Sequence, residues 1–148
     1  MCGIVVWGGL LVTVPILVTE YVSPDPRFVL GTMTYVVGGV VCHQRAARSF
    51  ELFRVQLPVC ARCTGIYAGA VVGALLVFLR LIGRSRSSVA LPVLRALLVA
   101  ASFPTVASAG LEVVGVVDPG NVGRALLGMP LGVVLAWFSG NVLSGALN

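Results

Sequence analysis

Three of the four cysteines and the single histidine fall within 22 residues, as Cys42-His43 and, seventeen residues on, Cys60-Ala61-Arg62-Cys63. A two-residue spacer lets both sulfurs of a Cys-x-x-Cys turn reach one ion, and Zn²⁺ is commonly held tetrahedrally by thiolates and imidazole. Cys42, His43, Cys60 and Cys63 are therefore a candidate Cys₃His zinc set. If His43 points away, the fourth position is open to water or substrate, and the metal can be catalytic. The same residues also fit redox chemistry. Cys60 and Cys63 follow Pro58 at an expected helix N-terminus, where the helix dipole and Arg62 lower a thiol pKa, with Cys42 as a resolving or shuttle thiol. A third reading leaves the cysteines as inert, small, apolar residues near a helix end.

The elements around this cluster belong to a membrane. Of the 148 residues 58% are hydrophobic and 10% charged, against roughly 25% charged in soluble domains, so a water-soluble fold would expose too much apolar surface. No charge occurs before Glu20, between Arg62 and Arg80, between Arg95 and Glu112, or after Arg124. Each gap is near the roughly 20 residues that a helix needs to cross a bilayer. The pattern predicts an all-α, polytopic membrane bundle of four or five helices in one integral domain, with helices at about Ile4 to Val22, Thr64 to Ile82, Val89 to Val114 and Val122 to Leu147. Phe28 to Val41 is apolar but short, a brief span, a re-entrant segment or an interfacial helix. Residues 42–63 read as a polar loop. The first stretch lacks a basic leader and a small-x-small cleavage pattern, so it is expected to remain as an anchor. The +5 balance comes from arginine alone, with no basic run and no room for a soluble domain, which argues against nucleic acid as a partner and for positive flanks on membrane helices. The lipid bilayer is the expected partner.

Helix parity enlarges the cluster. One helix leads away from the cysteines to Arg84 and Arg86 and the next leads back, so Glu112, Asp118, Asn121 and Arg124 return to the cysteine side. Ionisable groups near membrane depth are paired or functional, and Glu112 is expected to pair with Arg124 or Arg62. Cys60, Cys63 and Glu112 are the candidate catalytic residues, Glu112 as the one intramembrane general base. Arginine counts on the two faces do not orient the chain; if the cysteine-side arginines serve a site, the Arg84 and Arg86 loop marks the cytoplasm and the thiols face outward. Gly65, Gly69 and Gly73, like Gly128 and Gly132, recur every four residues, a ridge for close helix packing and a possible seam for a homo-oligomer.

The runs Cys42-His43-Gln44, Arg48-Ser49-Phe50 and Gln56-Leu57-Pro58-Val59-Cys60-Ala61-Arg62-Cys63-Thr64-Gly65-Ile66-Tyr67 resemble a prokaryotic membrane-protein family catalogued as domain of unknown function 2085. The resemblance is dense over residues 42–69 and weaker over 104–132, where Asn121, Arg124, Gly128 and Gly132 fit. Ser108 and Glu112 depart from the family pattern, which favours an acid and a glutamine there. The resemblance implies a helical protein of a prokaryotic cell membrane and no established activity. It also implies that Gln44, Arg48, Gln56 and Arg62 belong with the cysteines, as donors to metal-bound thiolates or as receivers of an anionic group. Three functions stay open: a structural or interaction protein pinned by zinc, a membrane thiol oxidoreductase, and a metal-dependent enzyme acting on a lipid or quinone-like molecule.

Overall fold

Proline fixes φ and lacks an N–H, which suits the first turn of a helix, and helix α1 begins there, at Pro26–Val41. The computed structural model describes residues 26–52, 54–82 and 90–143. The expected first helix, residues 4–22, and the basic loop holding Arg84 and Arg86 lie outside the described residues. At 1.5 Å per residue α1 is about 24 Å long, less than the roughly 30 Å hydrocarbon core of a bilayer. It delivers the chain to Cys42, after which Gln44 takes a positive φ of 46° and turns it.

Residues 42–63 are not a loop. A 3₁₀ turn, Ala46–Arg48, leads into strand β1, Ser49–Leu52, which pairs antiparallel with β2, Val55–Cys60, so that Ser49 stands opposite Cys60 and Glu51 opposite Gln56. Pro58 is accommodated because both strands of a two-stranded sheet are edges, where a missing N–H need not break a ladder. Arg54 reverses the hairpin at a φ of 65°. β2 runs without a break into helix α2, Ala61–Ile82, so the Cys-x-x-Cys motif straddles a strand-to-helix junction.

Helices α3, Leu91–Val113, and α4, Gly120–Leu143, complete the described bundle. Pro92 sits in the first turn of α3, where no donor is lost, whereas Pro104 lies within it. The end of α3 is set by Gly115, which has φ +76°. Its N–H bonds Glu112 O and the N–H of Val116 bonds Leu111 O, the paired closure that a left-handed glycine permits. Asp118 Oδ1 then accepts from Gly120 N at 3.0 Å as α4 begins.

α2, α3 and α4 are each long and apolar enough to cross a membrane. Their polarity is inverted relative to a soluble bundle: Val99 and Phe103 on α3 are 71% and 72% exposed, while Thr105, Glu112, Arg124 and Asn141 are buried. Apolar surface of this kind belongs in lipid.

Small residues decide the packing of α2 on α4. A Cβ added at Gly65 would fall on the carbonyl of Ala125, at Gly69 on that of Met129, and at Gly132 on that of Ile66. The glycine ridge is consumed inside the chain, so the seam suggested for a second copy is already covered by α4. Gly38 lets α1 approach the Pro58 carbonyl in the same way. Backbone cannot yield to a side chain, so Gly132→Leu should exceed the roughly 1–3 kcal/mol of ordinary overpacking. In thermal unfolding of the detergent-solubilised chain it should lower the midpoint sharply or abolish folded yield. Gly110→Ala, where a Cβ meets open space, should leave the midpoint unchanged or slightly raised.

Candidate functional site

β2 ends on Cys60, α2 carries Cys63 in its first turn, and the exit of α1 supplies Cys42. The three sulfurs lie within 4.8 Å of one another. Cys42 and Cys60 are buried with Val59, and Cys63 and Tyr67 pack against them. The sulfur of Cys42 accepts the N–H of Cys60 at 3.1 Å. Cys60 sits just ahead of the helix, where a side-chain acceptor satisfies a free N–H of the first turn. Its thiol is held at about 5, chiefly because the Cys63 thiol donates to it; the Cys63 N–H, the Cys42 thiol and the charge of His43 add to this against an opposing burial effect. These contacts favour the Cys60 thiolate, the form that binds metal or attacks a disulfide.

His43 does not join this group: among the described residues the assembled ligand set is the three cysteines alone. The chain turns at Gln44, and His43 is exposed with its Nδ1 accepting from Arg45 N at 3.1 Å. The adjacency of Cys42 and His43 is what separates them, since consecutive side chains diverge unless the backbone forces them together.

The two glutamines hold backbone, not sulfur. Gln44 Nε2 donates to Tyr35 O and Pro58 O, both at 2.7 Å, tying α1 to β2. Gln56 Nε2 donates to Gln44 O at 2.7 Å and to Ser49 Oγ at 3.3 Å, and the Tyr35 hydroxyl donates to Gln56 O. Asn121 Nδ2 reaches across from α4 to Ser49 O at 3.0 Å. These bonds fix the frame on which Cys42 and Cys60 face each other. Tyr35 and Ser49 were not singled out from sequence; a hydroxyl within an apolar helix was the available signal for Tyr35.

Beside the thiols lies an ion cluster centred on Glu112, whose side chain is 2% exposed. Arg124 Nε donates to its Oε1 at 2.7 Å, and Arg124 also reaches Asn121 Oδ1 at 2.9 Å and Asp118 Oδ1 at 2.8 Å. Arg62 Nη2 is 3.2 Å from Glu112 Oε2, and Arg48 Nη1 is 3.8 Å from the same oxygen. Arg62 Nη2 also bonds Ser108 Oγ at 3.3 Å. Ser108 and Glu112 thus both serve Arg62 from successive turns of α3. The ion pairing expected from parity is present with both arginines. Glu112 does not stand among the sulfurs, and a carboxylate clamped by guanidiniums is poorly suited to act as a base.

Removing one partner of a buried ion pair costs about 3–5 kcal/mol because the other charge is left uncompensated. Glu112→Leu should therefore be the most damaging change in this cluster, since it leaves three arginines facing one another. Arg124→Met should cost less, because Arg62 and Arg48 still face the carboxylate. Thermal unfolding of the two variants in one detergent checks the order.

A family model described as a predicted membrane protein, domain of unknown function 2085, matches residues 42–138. An uncharacterized protein of Methanothermobacter thermautotrophicus is 33% identical over 96 residues, covering 65% of this chain and 81% of the relative. An uncharacterized protein of Methanocaldococcus jannaschii is 48% identical over 42 residues, which is 28% of this chain and 27% of that one. No solved structure matches. The matched region begins at Cys42 and takes in the hairpin, the thiols, the ion cluster, α2, α3 and most of α4, and the chain belongs to this family of predicted membrane proteins.

Proposed function

We propose that the protein is a metal-binding protein of a prokaryotic cell membrane, in which Cys42, Cys60 and Cys63 hold one Zn²⁺ at one end of the bundle. The observation that carries this reading is the convergence of three sulfurs from three elements within 4.8 Å. Sulfurs bound to one tetrahedral zinc at about 2.3 Å are about 3.8 Å apart, so the triad needs only small side-chain rotations to close on an ion. Burial of Cys42 and Cys60 with Val59 shields the site, and the Cys60 N–H on Cys42 is the kind of outer hydrogen bond that orients a thiolate ligand. With His43 turned away, the fourth ligand is water or an exchangeable small molecule. Zinc would pin the exit of α1 to the start of α2. The occurrence of relatives in two archaea supports the prokaryotic setting.

A second reading, thiol–disulfide exchange at Cys60 and Cys63, is favoured by the Cys63 hydrogen bonds to Cys60 at the start of a helix. Elemental analysis with thiol counting separates the two. Zinc binding predicts one zinc per chain and three protected, reduced thiols, loss of the metal in Cys60→Ser and Cys63→Ser, and its retention in His43→Ala. A metal-free protein whose Cys60 and Cys63 interconvert between dithiol and disulfide would establish exchange instead.

A further inference from the structure

The cluster around Glu112 carries a surplus of positive charge and of donors, and both lie on one side of it. Every nitrogen of Arg124 has an acceptor, at Glu112, Asn121 and Asp118. The opposite side is less complete: Arg62 Nε and Glu112 Oε2 are buried side-chain atoms without a hydrogen-bond partner, and Oε2 has only the ion-pair approach of Arg62 Nη2 at 3.2 Å and Arg48 Nη1 at 3.8 Å. Arg62 and Arg48 flank that oxygen, with side chains 17% and 32% exposed against 7% for Arg124, so this is the more accessible side of the cluster. A buried donor or acceptor left unpaired bears its full desolvation penalty, larger still when charged. Asp118 does little to balance the surplus there, because its side chain is 78% exposed and bonds Arg124.

A ligand that satisfies both orphans needs acceptor oxygens for two guanidiniums and a hydroxyl donor for the carboxylate. We propose that the Arg48 and Arg62 side of this cluster binds a phosphate group that carries or adjoins a hydroxyl. Guanidinium forks match phosphate oxygens geometrically and electrostatically. The hydroxyl is that of hydrogen phosphate itself or of a glycerol headgroup. Location agrees: Glu112 closes α3, Arg124 opens α4 and Arg62 opens α2, so the group would sit where three spans leave the bilayer and phospholipid phosphates lie. This site does not use the thiols and stands whether or not they hold a metal.

The test is thermal unfolding of the full chain in a neutral detergent, titrated separately with dihexanoylphosphatidylglycerol, dihexanoylphosphatidylcholine and inorganic phosphate. A saturable upward shift with the phosphatidylglycerol or with phosphate is expected. A shift with the lipid alone identifies a headgroup; an equal shift with phosphate identifies the free anion. Arg48→Gln should weaken that binding roughly tenfold or more, with Arg48→Lys in between, since it keeps the charge and loses the fork. Arg95→Gln, at an exposed position near the start of α3, should titrate as the unaltered protein does. No saturable shift with either ligand, an unchanged curve in Arg48→Gln, or phosphatidylcholine binding as tightly as phosphatidylglycerol would overturn the assignment.

Discussion

A carboxylate buried among membrane helices must be paired or it will not stay charged, and in this protein one such carboxylate gathers its partners from three other elements. Glu112 at the end of α3 takes Arg124 from α4, Arg62 from α2 and Arg48 from the 3₁₀ turn that precedes the hairpin. Where lipid supplies no hydrophobic drive between helices, close glycine contacts and polar bonds hold the bundle. The glycines set how near α2 and α4 can lie, and Glu112 fixes which end of α3 meets them. Thr105 adds a further tie, its hydroxyl donating to Leu127 O on α4 at 2.8 Å.

The thiols inherit their geometry from that frame. Arg62 lies between Cys60 and Cys63, so anchoring its guanidinium on Glu112 also anchors the turn that presents the two sulfurs. Cys42 is brought to them by a separate set of bonds, through Gln44, Gln56 and Tyr35 to the carbonyls of the hairpin and α1. The polar residues of residues 42–63 therefore divide their labour: the glutamines shape the backbone, and Arg48 and Arg62 answer the buried acid. The metal proposed at the sulfurs and the phosphate proposed at the arginines would be neighbours on one scaffold.

Much of this was legible in the chain because it depends on period and polarity. Charge-free runs located α2, α3 and α4, and counting crossings placed Glu112 and Arg124 at the cysteine end, where they pair. The hairpin was not legible. Ser49–Leu52 and Val55–Cys60 are too short to announce themselves, and Pro58 reads as a breaker until both strands are seen to be edges. Nor was the departure of His43, which rests on a positive φ at Gln44, a residue with no glycine-like signature. Gly115, which closes α3 just after Glu112, was hidden for the opposite reason: among so many glycines, one with a conformational duty does not stand out.

The claim on which the account turns is that three sulfurs share one ion. X-ray absorption at the zinc edge, on protein purified without chelator, reads this directly. Three sulfur neighbours at about 2.3 Å and one lighter neighbour at about 2.0–2.1 Å are predicted. A zinc shell made only of nitrogen and oxygen, or a sample with no zinc and a Cys60–Cys63 disulfide, would contradict it.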